Sequence, residues 1–443
     1  LKLETLDSKP VIIIGGGLAG CEAAWQLLKR GLDVLLYEMK PGLYSPAHKS
    51  PLLAELVCSN SLRSNITRNA VGLLKEEMRI LDSIIIESAD ATAVPAGKAL
   101  AVDRTFLSQY IEQKLNECKG LKINRKEITA IPGDSPVIIA SGPLTSESLA
   151  KSISKTTGCE HLHFYDAISP IIDRDSIDHT LVFRASRYDN GDGDYLNCPL
   201  TKSEYERFCK ALTEGKEVPL RNFEELKYFE GCLPIEVMAK RGKNTLAFGP
   251  MKPVGLINPK TGEQPYAAVQ LRQENREGTL FNMVGFQTKL TWPEQKRILR
   301  MIPGLKEAEF ARYGSIHRNT FINSPALLKN TLQIRSNDNI FFAGQITGVE
   351  GYVESAAMGL IAGINMYRYL KEKDLAAVPP KTTAIGALLH YISDTGIKTF
   401  QPMNVNFGLF PPLSKKVPKK EKGEYFAARA LSDLKRWEEE IEL

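Results

Sequence analysis

The sequence has no Cys-x-x-Cys pair, and no apolar run approaches the roughly 20 residues needed to span a bilayer. Its seven cysteines are an odd number, scattered at Cys21, Cys58, Cys118, Cys159, Cys198, Cys209 and Cys232. That distribution argues against a disulfide framework or a zinc site built on paired ligands. No His/Cys/Asp grouping has metal-ligand spacing, so no metal is expected. The start of the chain carries no basic segment followed by an apolar stretch and a cleavage site, and a cytoplasmic, reducing setting without membrane attachment is expected. A strong charge of one sign is missing too: 57 Lys and Arg stand against 52 Asp and Glu, a net +5 that permits an anionic partner without requiring one. What is present is ordinary globular material, 43% hydrophobic and 25% charged, and 443 residues is enough for two or three packed regions.

The most informative stretch lies in the first fifty residues. A β-branched run from Val11 to Ile14 ends in Gly15, a helical pattern follows from Leu18 to Arg30, and Val34 to Tyr37 reads as a second strand. Gly15, Gly17 and Gly20 give the G-x-G-x-x-G spacing, with separate tasks: a tight turn, close approach of backbone to a pyrophosphate, and helix–strand contact. The pyrophosphate is expected at the helix start, against the backbone N–H groups around Leu18 and Ala19. Glu38 follows Gly20 by 18 residues and is placed to accept both hydroxyls of an adenosine ribose. Strand, glycines, helix, strand and acid in that order specify a dinucleotide site far better than the glycines alone. NAD is the rival occupant. FAD is favoured by two later strand-turns, Val137 to Gly142 and Ile340 to Gly344, which have the form of buried parallel strands delivering a glycine turn to a ligand. Gln345 stands where such flavoproteins usually place an acid for the ribitol, so an amide contact is expected there.

The run from Phe342 through Gly348, followed by Gly351-Tyr352-Val353-Glu354-Ser355-Ala356, resembles the flavoproteins that modify uridine in RNA. Two branches share it, the folate- and FAD-dependent tRNA (uracil-5-)-methyltransferases and the larger wobble-uridine carboxymethylaminomethyl enzymes. The segments Ala54 to Ser61, Gly72 to Met78, Tyr165 to Ile171 and Phe229 to Glu236 look like the methyltransferase branch, and the length agrees. The resemblance covers nearly the whole chain. It implies that a methylene group passes from 5,10-methylenetetrahydrofolate to reduced FAD and on to carbon five of a uridine in the tRNA T-loop, with NADPH or NADH as reductant.

Uracil carbon five is a poor nucleophile until a group adds at carbon six, and a thiolate does this well. Cys232 matches the family's nucleophile, and Cys58 its second functional cysteine, suited to removing the carbon-five proton or capping an intermediate. The other five cysteines read as small hydrophobes, with Cys198 in reserve. His317 lies where the family pattern approaches the flavin and offers a flat ring to the pterin, with a core histidine as the equal alternative. Tyr352 is expected near the isoalloxazine and Glu354 near a pterin amide, with helix-entry roles competing evenly. His48 reads as a structural cap. Arg79, Lys289 and Lys296 are possible phosphate contacts. The lysines from Lys415 to Lys422 read as a solvated connector before phosphate-binding edge.

The expected fold is α/β: a Rossmann-like FAD-binding domain in two parts, residues 1–165 and 323–443, with an inserted mixed α+β substrate domain at 166–322 and a helical segment at the end. Within the same chemistry, a ribosomal RNA uridine is the alternative substrate. From other classes come a small-molecule flavin oxidoreductase, which needs no cysteine nucleophile, and a non-catalytic RNA-binding subunit.

Overall fold

A computed structural model describes residues 9–187, 193–219, 233–372 and 378–441. Val11–Ile14 is a strand buried on both faces, as a β-branched run between two parallel neighbours should be. It pairs in parallel with Val34–Tyr37 on one side and Val137–Ile139 on the other. The sheet extends to Leu121–Asn124 beyond the former, and to Asn337–Phe342 beyond the latter, with Gln333–Ile334 closing that edge antiparallel. Strand order therefore reverses between Val11–Ile14 and Val137–Ile139, and open α/β sheets bind ligands in the crevice beyond the strand ends at such a point.

The helix Leu18–Leu28 covers one face of this sheet, and the long helix Tyr352–Leu370 packs across it. Two glycines permit the close crossing. A Cβ on Gly359 would lie 2.2 Å from the Ala19 carbonyl oxygen, and one on Gly363 would lie 2.8 Å from that of Ala23. Glycine inside a helix costs about 1 kcal/mol relative to alanine, and here that cost is offset by contact between the two backbones. Glu77, fully buried, accepts the Ala384 and Ile385 N–H groups at the start of the helix Ala384–Ser393, and burial pushes its carboxyl up to about 8.

A second six-stranded sheet is wholly antiparallel, in the order Phe183–Arg184, Tyr195–Leu200, Ala267–Gln273, Leu280–Met283, Ile171–Asp173, Phe310–Arg312. Its core is separate, formed by residues between Ile172 and Ala308, whereas the first core draws on residues up to Phe164 and again from Phe321. The chain passes between the two layers on a pair of antiparallel strands, Leu162–Ala167 outward and Ile316–Phe321 on return. A third, three-stranded sheet of Ser61–Ser64, Ala99–Val102 and Ala93–Val94 carries the segment just after Cys58. No helix among the described residues is long and apolar enough to cross a membrane.

Candidate active site

The switch point opens into a cleft whose empty space, the solvent at its mouth included, is about 1070 Å³. Gly15, Gly17, Leu18, Ala19, Glu38, Gly142, Gly344, Gln345 and Tyr352 all line it. Gly20 does not: its missing Cβ would sit 1.8 Å from the Gly15 carbonyl oxygen, so it lets the helix start press onto the turn beneath. Gly15 has φ +107°, and a Cβ there would lie 2.4 Å from the Ala140 carbonyl oxygen. Gly17 is different in kind. Its φ of −77° is open to any residue, and nothing lies within 4 Å of where its Cβ would be. It precedes a helix start with no side-chain cap, so the first-turn N–H groups face the cleft and favour an anion.

Glu38 is buried at the end of its strand, accepting the Gly16 N–H at 3.0 Å and the Lys40 N–H at 2.9 Å, one on each carboxylate oxygen. Each oxygen keeps a further lone pair. At the far end, the Gln345 amide donates to Glu350 at 2.6 Å. Glu350 went unremarked in the sequence; it is buried behind Gln345, and burial and then Asp166 hold its carboxyl well above the usual range. Lys40, His48, Glu55 and the 126–128 segment also line the cleft without a motif to announce them. His48 is bonded to Ser45 Oγ at 2.5 Å and faces the cleft, beyond a purely structural cap.

Cys58 adjoins this cleft through Val57, which lines it. Its N–H donates to Tyr352 Oη at 2.7 Å and that of Ser59 does so at 3.2 Å. Tyr352 thereby fixes the cysteine loop as well as bordering the cleft. From the antiparallel layer, buried Arg272 donates through Nε to Asn60 Oδ1 at 2.9 Å and through Nη2 to Ser59 Oγ at 2.8 Å. The Arg312 guanidinium donates to the Val57 carbonyl. The cysteine loop is held from both layers. The thiol contacts the Ala167 carbonyl at 3.9 Å; burial, then Asp166, pushes it up, and the guanidinium groups of Arg104 and Arg312 oppose that.

Cys232 lies outside the described residues. The chain is described again at Leu233, and the Ile235 N–H donates to the Gln287 carbonyl at 2.7 Å; next to Gln287, the Thr288 N–H bonds the Ile168 carbonyl at 3.4 Å. Ile168 follows Ala167, the residue under the Cys58 thiol.

His317 sits on the returning strand, opposite Asp166 in register, with Nε2 3.0 Å from Ser315 Oγ. Burial, followed by Arg312 and His48, pushes its imidazole down to about 4. The ring is neutral at physiological pH, and His317 is not among the residues that line the cleft, contrary to its expected place against the cofactor. The unfolded chain therefore binds the extra proton between pH 6.5 and about 4, and the stability His317 contributes above that window is lost as pH falls through it. Melting of His317→Gln against wild type across those pH values should show a shallower acid decline in the variant; parallel curves would contradict the assignment.

Several expectations are corrected. Glu354 is fully buried, paired with Arg63 and accepting the Val405 N–H at 3.0 Å, turned away from any pterin role at the cleft. Arg79 is engaged by Asp90 and Glu76, and buried Lys289 by Glu217, so neither is a surface phosphate contact, while Lys296 is exposed. Cys198 is buried in the second core, and Cys159 is exposed instead of packing as a small hydrophobe. Lys415 to Lys422 precede or open the helix Lys422–Glu440, with the lysines exposed. No group of three or more potential metal ligands occurs among the described residues.

The family model for glucose inhibited division protein A matches residues 10–374. The methylenetetrahydrofolate–tRNA-(uracil-5-)-methyltransferase TrmFO of Syntrophus aciditrophicus is 66% identical over 431 residues, covering 97% of this chain and 98% of its own. The chain belongs to the TrmFO family. The Geobacter sulfurreducens TrmFO is 59% identical over 428 residues, 96% of this chain and 98% of its own. Aquifex aeolicus GidA, at a TM-score of 0.69 and 15% identity, covers 98% of this chain, which spans 74% of that structure, and carries the same fold. Membership of the TrmFO family settles the choice between the two uridine-modifying branches.

Proposed function

We propose that the cleft binds FAD and that the chain transfers a one-carbon group from 5,10-methylenetetrahydrofolate to carbon five of a uridine in the tRNA T-loop, giving 5-methyluridine, with NADH or NADPH as reductant. One juxtaposition carries this reading: Cys58, in a loop clamped by Tyr352 at its own N–H and by Arg272 at Ser59 and Asn60, adjoins through Val57 the cleft that an uncapped, glycine-fronted helix start lines. The residues fit the dinucleotide. Open space at Gly17 and the first-turn N–H groups suit a pyrophosphate, and Glu38 keeps lone pairs for ribose hydroxyls. The Gln345 carbonyl oxygen is left to accept from the ribitol, because its amide nitrogen is engaged by Glu350.

Bound FAD, once reduced, supplies the carrier between folate and pyrimidine. The protein's own part is to activate the uracil. Cys232 adds its sulfur to carbon six, which makes carbon five nucleophilic. With the one-carbon group attached at carbon five, Cys58 in its thiolate form takes the proton there, the electron pair re-forms the ring double bond and the Cys232 sulfur leaves carbon six; Arg104 and Arg312 favour the Cys58 thiolate against burial. The short path of hydrogen bonds from Ile235 through residues 287–288 to Ile168 supports an approach of Cys232 to Cys58. Residues 166–322 act as the RNA-bearing unit, and 1–165 with 323–443 as the flavin-bearing one, in keeping with two separate cores. The six described cysteines are free thiols, in keeping with a reducing cytoplasmic setting.

Purified protein should be yellow and should label unmodified tRNA transcripts at the T-loop from methylenetetrahydrofolate and NAD(P)H. Oxidation of NAD(P)H driven by a small metabolite, with no methyl group entering RNA, would sink the reading.

A further inference from the structure

Three aromatic rings on the antiparallel layer form a ladder that ends in solvent. Trp292 opens the helix Trp292–Leu299 and stacks on Tyr313, with centroids 5.6 Å apart and 16° between planes. Tyr313 stacks in turn on Phe310, at 5.1 Å and 22°. Phe310 packs against the second core, Tyr313 is half-buried, and Trp292 is 63% exposed. A ring present only to add buried area would bury more of itself than this.

The ladder adjoins the active site. Tyr313 follows Arg312, whose guanidinium holds the Val57 carbonyl beside Cys58, and Ser315, two residues on, bonds His317. Exposed lysines stand at neighbouring positions: Lys296 is one helical turn along from Trp292, and the Lys216 backbone is joined to that of Thr291 by a hydrogen bond. The nearby carboxylate of Glu294 pairs with Arg297 at 2.6 Å and also lies within the field of Lys216. An exposed flat ring, stiffened from beneath, with exposed lysines at neighbouring positions, suits a nucleobase with its phosphate.

We propose that Trp292 is the platform on which an unpaired base flanking the target uridine stacks, with Tyr313 and Phe310 holding the plane of the indole. Taking a uridine out of a loop leaves neighbouring bases without partners, and single-stranded RNA is commonly held by such stacking. The inference rests on reading the cleft as a uridine-modifying site. It adds a contact that lies outside the chemistry.

Flavin-loaded, full-length protein is titrated with a T-arm hairpin RNA, following tryptophan emission and the anisotropy of labelled RNA at several salt concentrations. Wild-type emission should be quenched on binding, and Trp292→Phe should lose most of that quench, since Trp25 and Trp437 lie elsewhere. Trp292→Ala should weaken Kd on the order of ten-fold, and Trp292→Phe should restore most of the affinity. The slope of log Kd against log salt should be the same in all three, because no charge has changed. Unchanged affinity in Trp292→Ala overturns the platform. So does a changed association state of the protein with unchanged RNA affinity, which would assign the face to a second copy of the chain. Failure of the wild type itself to bind RNA is a separate result, and it removes the uridine reading and this inference together.

Discussion

Gly17→Asp should yield a folded, colourless protein. The substitution meets no steric obstacle, since nothing lies within 4 Å of the new Cβ and φ is −77°. Aspartate is among the preferred residues ahead of a helix start, and a carboxylate there complements the helix dipole, so the flavin-free chain should be at least as stable as wild type. The same carboxylate would stand where the proposed pyrophosphate binds. Two like charges about 4 Å apart cost about 4 kcal/mol at an effective dielectric near 20, which corresponds to roughly three decades in Kd. Flavin titration and thermal unfolding of the same preparation check both halves. A yellow variant with wild-type affinity would contradict the placement of the pyrophosphate. Gly20→Ala offers the contrast, because its Cβ would meet the Gly15 carbonyl at 1.8 Å and should damage folding and binding together.

Cys58→Ala should lower the rate of methyl transfer by about 10²- to 10⁴-fold, the usual range for loss of a positioned base, while flavin and RNA still bind. Among the described residues its thiol has one hydrogen-bonding partner, the Ala167 carbonyl at 3.9 Å, and the Tyr352 bond is made by its backbone, so truncation leaves the loop in place. Burial raises the thiol and a base must be deprotonated to act, so the wild-type rate should climb with pH on the alkaline side. The variant's residual rate should be flatter there. Activity within a few-fold of wild type would remove Cys58 from the chemistry.

The nucleotide half of the site was legible because its determinants are local. Strand, three glycines, helix and acid fall within Val11 to Glu38, and each acts on the backbone beside it. Most of the rest depends on partners far away in the chain. Tyr352 holds the N–H of a residue 294 positions distant, and Arg272 reaches Asn60 across 212. Nothing in either neighbourhood announces the other. Lys289 was misread for a related reason, since its carboxylate Glu217 lies far away in the chain; Arg79 has one partner at helical spacing, Glu76, and only Asp90 was out of reach of that pattern. The Gln345 position was legible, but not that Glu350, from the following turn, engages its amide nitrogen. Gly359 and Gly363 drew no remark in the sequence, and the crossing with Ala19 and Ala23 is what explains them.

The central chemical step can be trapped. A T-arm RNA carrying 5-fluorouridine at the target position offers no proton at carbon five, so a pyrimidine that has bonded sulfur at carbon six and received the one-carbon group has no ordinary route to release. Incubated with flavin-loaded protein, methylenetetrahydrofolate and NAD(P)H, then digested and read by mass spectrometry, the RNA should be found on the peptide containing Cys232, and Cys232→Ala should yield none. An adduct of equal yield in Cys232→Ala, or one found on Cys58 alone, would contradict the account.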